Sequence, residues 1–448
     1  MYGRDGEPYS TLCRGSVTLN ERLIQARGRM ELDWGVKMHI AMLSGEYPPR
    51  WGGMGSTVFH LSAALVARGH RVTVITRNGG GGSPPRQDGV NVRIVNWAKI
   101  PMAFTRSYGK YALNDLVRLH SEDPVDIVHL HCPMISWNAR QFKTCISKVA
   151  PVVSSLHGSW LGERDGLLTA RRQREAAVWA NPNDLAILLT AGYYARFEKA
   201  AIHGSEVCVA NSKATMEDFV MRYQPPDNWD CEVVHWGVDT EMFVPIDMDD
   251  VESTKQRESL RLKYGVDDSS NLILAVGRLA ARKGYGSLLK AFAKVHLAEP
   301  DATLVIVGRG HLRKRLLRQA ARLSLGSSVV IESGMPFEDL AMLFRSANLV
   351  VYPSYYEGQG LIPLEAMSSG TPVVTVDHGP LPEMVDDTVG SLFQMGDIDS
   401  MAESILAELT NPGALSLKGK AGRKRVLESF TYAHDAERFE SIYLRAME

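Results

Sequence analysis

Runs of apolar residues recur along the chain from Met38 onward and alternate with stretches of helical periodicity. In the first half, the short apolar runs that read as strands are MHIAML, RVTVIT, VDIVHLH, APVVSSLH and SEVCVAN. A second cycle begins at residue 271 and contains NLILAVGRL, DATLVIVGRG, SSVVIES, NLVVYPS and TPVVTVD. Near-continuous apolar strands separated by helices are typical of a parallel sheet covered on both faces. The pattern predicts an α/β protein with two doubly wound parallel-sheet domains.

The same pattern suggests domain boundaries. Residues 1–36 are polar and lack sustained periodicity, which predicts a flexible N-terminal extension. An N-terminal domain over residues 37–240 and a C-terminal domain over residues 241–430 follow, because the periodicity lapses between about residues 235 and 268. Open parallel sheets bind ligands outside the carboxyl ends of their strands. We therefore expect loops of both domains to face a shared cleft.

Charge and cysteine content limit the function classes. The 448-residue chain carries 50 Lys and Arg against 51 Asp and Glu, a formal net charge of −1, which gives no global field to attract nucleic acid or anionic lipid. The five cysteines are widely spaced and lack a C-x-x-C pair, which favours free thiols in a reducing compartment. The sequence shows neither a run of ~18 apolar residues nor a signal-peptide pattern. We expect a cytoplasmic protein that binds no nucleic acid.

The loop GEYPPRWGGMGS joins the first predicted strand to the first helix and is rich in glycine. Backbone amides at the start of a helix near Ser56 are suited to receive a phosphate or a sugar hydroxyl. A dinucleotide site fits poorly, because the spacing is not G-x-G-x-x-G and the second strand ends in TRN where a ribose-binding acid is expected. A turn that merely needs small residues is the alternative.

Two cations lie in the segment VGRLAARKGYGSLLKAF. Arg278 stands at the carboxyl end of a predicted strand, and Lys283 follows five residues later, before a helix predicted to begin near Tyr285. Arginine supplies a fork of donors and lysine a mobile point charge, so the two together suit a diphosphate. A pair of solvated loop charges is the alternative, and Arg282 is expected in solvent.

Two carboxylates lie eight positions apart in YEGQGLIPLEAMSSG. Glu357 stands in a glycine turn, whereas Glu365 falls in a segment whose early proline suits the first turn of a helix. The amides at the start of this helix, in residues 358–361, are expected to face the diphosphate. A carboxylate against a diphosphate would be repelled, so we expect the two acids to contact the two sugars that flank the diphosphate of a nucleotide sugar. Glu365 would accept hydrogen bonds from the ribose, and Glu357 from the transferred sugar. The alternative is that both acids are surface residues, because a bare E-x7-E often occurs by chance.

Two other motifs have structural explanations. Asp397 and Asp399 form a D-x-D, which can bind metal, but they precede a helical segment where an aspartate is expected as N-cap. The segment of residues 311–326 is basic and amphipathic and could contact anionic lipid. Its apolar stripe equally suits a helix that covers the second sheet with its charged face in solvent, and we favour this interpretation.

A pair of histidines alternates with apolar residues in DIVHLHCP. His129, His131 and Cys132 could be metal ligands, but nothing else nearby in the sequence supplies a metal-like cluster. We expect His131 to line the acceptor side of the cleft and His129 to be packed.

These segments together resemble the retaining glycosyltransferases of family 4 (glycosyl transferases group 1), which have the GT-B fold. EGQGLIPLEAMSSGTPVV is similar to the E-x7-E region of that family. Further matches, in the order of the family, are EYPPRWGGMGSTVFHLSAALVARGHRVTVIT, HWGVDTEMFVP and VGRLAARKG. The resemblance covers about Met38 to the C-terminus. It implies two Rossmann-like domains facing a central cleft and a last helix, residues 431–448, that packs back on the N-terminal domain.

The resemblance also implies roles for individual positions. The catalytic positions are His157, at the end of a predicted strand, together with Glu357, Arg278 and Lys283. The donor-binding positions are Gly53, Gly55, Gly358, Gln359, Gly360, Leu361 and Glu365. Candidates for the acceptor side are Arg50, Trp51 and His131. Gln359 stands where the family usually has an aromatic residue in E-G-F-G, which bears on the preference for the donor sugar.

We therefore expect a retaining hexosyltransferase that moves a sugar from a UDP- or GDP-sugar to an acceptor hydroxyl on a glycan, lipid or small molecule. No metal or other cofactor is expected, because the two cations and the helix-start amides would stabilise the departing diphosphate. Peripheral contact with a membrane is left open. Two alternatives remain at this stage: a nucleotide-sugar epimerase of the same fold, and a non-catalytic protein that binds nucleotide sugars.

Overall fold

The computed structural model of the protein describes residues 37–49, 51–78, 82–175 and 178–448, apart from the side chain of residue 180. The predicted flexible extension of residues 1–36 and the acceptor-side candidate Arg50 therefore lie outside the described residues. Within the described ranges, no helix combines the length and the apolar composition that crossing a lipid bilayer requires.

The N-terminal domain is built on a parallel sheet. Its strands are β1 (His39–Ser44), β2 (Arg71–Arg77), β3 (Val90–Val95), β4 (Ile127–Cys132), β5 (Val152–Leu156), β6 (Val207–Ala210) and β7 (Cys231–Val233). They lie in the order β3-β2-β1-β4-β5-β6-β7, and every pair is parallel. In β1, the side chains of Ala41 and Leu43 are buried in one hydrophobic cluster, and those of Ile40 and Met42 are buried in a second cluster. Helices therefore bury both faces of the sheet, as the continuous apolar runs predicted.

In the described part of the N-terminal domain, six α-helices surround this sheet. They are α1 (Gly53–Ala67), α2 (Ala103–Glu122), α3 (Ala139–Lys148), α4 (Trp160–Arg172), α5 (Pro182–Gly204) and α6 (Lys213–Tyr223). Short polar side chains cap the amino ends of α3 to α6, at Asn138, Ser159, Asn181 and Ser212. Each accepts a hydrogen bond from an amide in the first turn, which fixes where the helix begins.

The C-terminal domain repeats this architecture with six described strands. They are β8 (Leu272–Val276), β9 (Thr303–Val307), β10 (Val329–Glu332), β11 (Leu349–Tyr352), β12 (Val373–Val376) and β13 (Gly390–Phe393). Their order is β10-β9-β8-β11-β12-β13, again with parallel pairs. The two sheets confirm the predicted fold class of two doubly wound, Rossmann-like domains.

The helices of the C-terminal domain are α7 (Val251–Lys263), α8 (Tyr285–Ala298), α9 (Arg313–Arg322), α10 (Phe337–Ser346), α11 (Leu361–Ser368), α12 (Ile398–Leu409) and α13 (Pro412–Ser429). Helix α9 is the basic amphipathic segment. Leu312, Leu316 and Ala320 join the core cluster of this domain, whereas Leu317 is exposed. The apolar stripe of α9 thus covers the second sheet, and the basic residues of the helix are exposed to solvent.

The last helix, α14 (Tyr432–Met447), belongs to the C-terminal segment but packs on the first domain. Phe439, Ile442 and Tyr443 are fully buried in the cluster that contains Ile40 and Met42 of β1. The chain thus crosses between the domains twice, and the two crossings lie side by side, with Val238 bridged to Thr431. Residues Met38–Glu448 form one compact unit by their contacts.

Candidate active site

Helix α11 begins immediately after the turn that carries the first acid of the E-x7-E. Gly360, the residue before the helix, has φ of 101°, a conformation that glycine adopts readily and other residues rarely do. Pro363 lies in the first turn, where a missing N–H costs nothing. No side chain of the described residues caps this helix. Its first amides remain available to bind an anion.

The glycine-rich loop of the N-terminal domain meets this helix. Helix α1 begins at Gly53, and again no described side chain caps it. A Cβ atom at Gly53 would lie 3.8 Å from Cδ1 of Leu361, the first residue of α11. The amino ends of two helices, one from each domain, therefore lie close together. Because each end carries partial positive charge, the gap between them suits a diphosphate.

Glu357 is held from several sides by groups of its own domain. Oε1 accepts hydrogen bonds from the hydroxyl of Tyr352, at 2.8 Å, from Ser354 Oγ, and from Nζ of Lys283. The side chains of Lys283 and Glu357 are only 11% and 12% exposed. Burial by itself raises the pKa of Glu357, but Lys283, Arg282 and these hydrogen bonds outweigh it and hold the pKa below its usual value. Glu357 is thus a buried, ionised carboxylate.

The three basic residues of the loop after β8 have different surroundings. Arg278 is exposed at the carboxyl end of the strand, and its side chain makes no hydrogen bond or ion pair with a described residue, whereas its carbonyl accepts from the amide of Ala280. Lys283 ends a short 3-10 helix, Ala281–Lys283, and is buried against Glu357. Arg282 was expected in solvent, and this expectation is wrong. Its Nε lies 2.8 Å from Oε2 of Glu163 on α4, and the nearby acids raise its pKa despite its burial.

Glu365 lies one turn into α11 and borders a cavity of about 290 Å³ between the two domains. Burial, and after it the charge of Asp239, raises the pKa of Glu365 to about 7. Both carboxyl groups line this cavity together with aromatic rings. A carboxyl group in such a place can accept hydrogen bonds from a diol and gains charge when it does.

Trp51 contributes to the same cavity, which places it beside Glu365. The ring is 41% exposed and meets the ring of Phe337, the first residue of α10, with centroids 5.0 Å apart. Trp51 was expected on the acceptor side, and this role stays a prediction; the structure places the residue at the cavity that Glu365 also borders, next to the start of α10.

His157 follows β5 and lies under the turn of residues 356–360, so close that a Cβ on Gly358 would overlap the carbonyl oxygen of His157. Its ring stacks on Trp236, with centroids 5.1 Å apart and planes at 12°, and Trp236 stacks in turn on Phe439 of α14. Burial lowers the pKa of His157 to about 3, so the imidazole is neutral near pH 7.

His131 lies beneath His157 and not on the wall of the cleft. It is fully buried, and its Nδ1 lies 3.0 Å from Nε2 of His157. The expectation that His131 lines the acceptor side is wrong, because its strand position turns the ring into the interior. His129 is buried as expected, between Ser155 and Tyr443, at 2.6 and 2.7 Å. Both of its ring nitrogens thus have hydrogen-bonding partners.

Gln359 turns its side chain toward the crossing between the domains. Its Oε1 accepts a hydrogen bond from the amide of Trp236, at 2.7 Å, and its Nε2 donates to the carbonyl of the same residue, at 2.9 Å. The side chain is buried and both ends are used. The predicted donor-binding role can therefore belong only to the backbone of this residue. An aromatic side chain could not make this pair of bonds.

The D-x-D motif is a helix cap. Asp397 accepts hydrogen bonds from the amides of Asp399 and Ser400, at 2.9 and 3.0 Å, and Asp399 pairs with Lys294. Among the described residues, no group of three or more His, Cys, Asp or Glu side chains is arranged to hold a metal ion.

Sequence reasoning missed several residues that surround Glu357. Tyr352 and Ser354 bond its carboxylate, Glu163 holds Arg282, and Tyr356 fills a slot on α4. The polar run PSYYEG beside the first acid was a usable signal for the residues near it. Nothing in the sequence around Glu163 singles it out, because its partner lies more than 100 residues away.

Comparisons with known proteins match both domains of the chain. The model of glycosyltransferase family 4 matches residues 51–242, and that of glycosyl transferases group 1 matches residues 256–425. An uncharacterized glycosyltransferase of Methanocaldococcus jannaschii is 28% identical over 414 residues, which cover 92% of this chain and 99% of the relative.

Two solved structures have the same fold. Sucrose-phosphate synthase from Thermosynechococcus elongatus superposes with a TM-score of 0.71 at 21% identity, covering 91% of this chain and 99% of that one. Anabaena HepE, in complex with UDP and glucose, gives 0.65 at 18% identity, with 90% and 99% covered.

The fold and the matching models define a glycosyltransferase of the GT-B type. Within that class, the chain belongs to glycosyltransferase family 4, as the sequence motifs predicted.

Proposed function

We propose that this enzyme transfers a hexosyl group from a nucleotide diphosphate sugar, a UDP- or GDP-sugar, to an acceptor hydroxyl, with retention at the anomeric carbon and without a metal. The observation that carries the proposal is the arrangement of the two acids around the start of α11. Ionised Glu357 lies in the turn before the uncapped helix start and borders one cavity, Glu365 lies one turn into the helix and borders another, and the start of α1 lies close to Leu361. One diphosphate flanked by two sugars matches this order of groups.

Each group then has a distinct task. Glu365 accepts hydrogen bonds from the ribose, and the aromatic rings around its cavity contact the base. Exposed Arg278 and the first amides of α1 and α11 bind the diphosphate. Glu357 contacts the transferred sugar, whose anomeric carbon becomes electron-poor as its bond to the diphosphate breaks. Lys283 is bonded to Glu357 and Tyr352, and in this proposal its charge balances that of the acid and of the diphosphate.

The positive groups act mostly in the transition state. As the bond between sugar and diphosphate breaks, negative charge accumulates on the departing oxygen, where Arg278, Lys283 and the helix amides stabilise it. Neutral His157 lies under the turn that carries Glu357 and faces the donor sugar in this proposal. Retention is the stereochemistry that the family resemblance implies. Support for a metal-free reaction comes from the number of cationic and amide groups at the site.

A cytoplasmic location is part of the proposal. Cys132, Cys145, Cys208 and Cys231 are free thiols in the described part of the chain, as is usual for proteins of a reducing compartment.

A product assay with a panel of UDP- and GDP-sugars tests the proposal. We expect nucleotide diphosphate release that requires an acceptor, and a product whose anomeric configuration, followed by proton NMR, equals that of the donor. Donor consumption without any acceptor would indicate an epimerase, and binding without consumption would indicate a binding protein. An inverted product would exclude the retaining reaction.

A further inference from the structure

A tyrosine of the C-terminal domain is inserted into a helix of the N-terminal domain, next to the donor-sugar acid. The side chain of Tyr356 lies against Gly162 and Gly166 of α4. A Cβ atom added at Gly162 would overlap the tyrosine ring, and one added at Gly166 would overlap the tyrosine Cβ. Residues four apart lie on one face of a helix, so the two glycines form a single slot. The slot admits the tyrosine because both side chains are absent.

The hydroxyl of Tyr356 is fixed at the end of this slot. It accepts a hydrogen bond from the amide of Ser159, at 2.8 Å, and lies 3.4 Å from the carbonyl oxygen of the same residue, to which it can donate. Ser159 is the N-cap of α4, and its own side chain accepts from the amide of Gly162, at 2.9 Å. The tyrosine is thus bound to the start of the helix as well as to its face.

The backbone on both sides of Glu357 is also tied to the N-terminal domain, through Arg282 before the acid and directly after it. Before it, the carbonyl of Tyr356 accepts from a guanidinium nitrogen of Arg282, at 3.3 Å, and Arg282 pairs with Glu163 of α4. After it, the carbonyl of Gly358 accepts from Ser212 Oγ, at 2.7 Å, and from Thr215 Oγ1, at 2.9 Å. The acid belongs to the C-terminal domain, yet the hydroxyl of Tyr356 and the carbonyl of Gly358, on either side of it in the chain, are bonded by the N-terminal domain.

We infer that Tyr356 is a positioning residue that couples docking of α4 onto the C-terminal domain to the placement of the Glu357 carboxylate. The donor-sugar acid takes its working position only when the ring occupies the slot between Gly162 and Gly166. Separation of the domains withdraws the tyrosine and frees the turn of residues 356–360. The inference rests on the proposed function, because it assigns Glu357 to the donor sugar.

The inference predicts a loss of turnover more than a loss of donor binding. Arg278, Glu365 and the start of α11 lie outside the slot, so nucleotide affinity should be kept. A small displacement of a reacting group can lower the rate by about 10²-fold. We expect Gly162→Ala and Tyr356→Ala each to lower kcat by about 10- to 100-fold, with the nucleotide Kd changed by less than about threefold. Tyr356→Phe keeps the ring and loses the bonds to Ser159, so its kcat should lie in between.

The slot gives a specific rescue pattern. The Cβ atom of Gly162→Ala meets ring atoms of Tyr356, which Tyr356→Ala removes, whereas that of Gly166→Ala meets the tyrosine Cβ, which Tyr356→Ala keeps. In the Tyr356→Ala background, Gly162→Ala should therefore cost no further activity, and Gly166→Ala should still cost some. Gly192→Ala on α5 is the matched control, because an added Cβ there has nothing within 4 Å.

The experiment measures kcat, donor KM, nucleotide Kd and the unfolding temperature of these variants of the full chain. The inference is overturned if Gly162→Ala matches Gly192→Ala in kcat, if its effect multiplies with that of Tyr356→Ala, or if KM rises while kcat is kept. Failure of the proposed function would look different. The wild-type protein would then transfer no sugar, while coupling between Gly162 and Tyr356 in the unfolding temperature would still report whether the slot holds the tyrosine.

Discussion

The Nδ1 atom of His131 lies 3.0 Å from Nε2 of His157. His131 is fully buried, and it holds the ring of His157, which lies under the turn that carries Glu357. Both rings are neutral near pH 7, since burial lowers both pKa values. In a hydrogen bond between neutral imidazoles, one nitrogen donates and the other accepts, so the tautomers of His131 and His157 are coupled.

Replacing His131 tests this arrangement. His131→Phe keeps the ring size but removes the bond, and we expect kcat to fall about tenfold with little change in nucleotide Kd, because a lost partner misorients His157 without touching the nucleotide. His131→Asn can retain a hydrogen-bonding atom near the Nδ1 position and should lose less. Steady-state kinetics and calorimetry distinguish the variants. Equal losses in both would show that ring packing, and not the bond, matters.

Glu365→Ala should weaken binding of the nucleotide. A ribose contact exists in both the ground state and the transition state, so the Kd of the free nucleotide diphosphate and the donor KM should rise about tenfold or more, with kcat nearly kept. Titration calorimetry measures the Kd. Glu403→Ala, at an exposed position of α12, is the matched control and should behave like the wild type. An unchanged Kd in the first variant would remove Glu365 from the nucleotide site.

Glu357→Gln should act on turnover instead. The amide keeps the size of the side chain but loses the negative charge next to the electron-poor sugar, so kcat should fall by on the order of 10²-fold while nucleotide Kd changes little. Single-turnover measurements with saturating donor report this step. A variant with near-normal kcat would mean that the charge of Glu357 serves only its pairing with Lys283.

The raised pKa of Glu365 predicts a dependence of stability on pH. The group binds its proton with a pKa of about 7 in the folded protein against 4.5 in the unfolded chain. Between these values the folded state holds more protons, so this group's contribution to stability falls as pH rises from about 4.5 to 7. Glu365→Gln should remove a penalty on the order of 1–3 kcal/mol at pH 8 and nearly none at pH 4.5. Thermal unfolding of the wild type and of Glu365→Gln at the two pH values measures this penalty. An equal stability difference between the two proteins at both pH values would contradict the raised pKa of Glu365.

Transfer should persist in excess EDTA. In the proposed function, Arg278, Lys283 and the amides of two helix starts supply positive charge to the departing diphosphate, so that a divalent ion would duplicate them. The measurement is the rate of nucleotide release before and after exhaustive chelation, with manganese added back as the control. Complete loss with EDTA and recovery with manganese would require a metal site that includes the donor diphosphate itself.

Much of the fold follows from the sequence alone. Apolar runs such as those of β1 and β8 can be buried on both faces only in a sheet covered by helices, so the periodicity of strands and helices determines two doubly wound domains. The local chemistry of the E-x7-E segment also follows, because Gly360 and Pro363 by themselves favour a turn that opens a helix.

Only the tertiary structure decided which charged and polar side chains are buried and what they contact. From the sequence alone, Arg282 is predicted to be a solvated loop cation. In the fold it pairs with Glu163, which lies 119 positions earlier in the chain. The sequence predicts that His131 and Gln359 are cleft residues. In the fold, His131 points into the interior and contacts His157, and the side chain of Gln359 bonds the backbone of Trp236. The physical reason is the same in each case: the energy of a buried polar group depends on partners that distant parts of the chain supply, and local patterns carry no record of them.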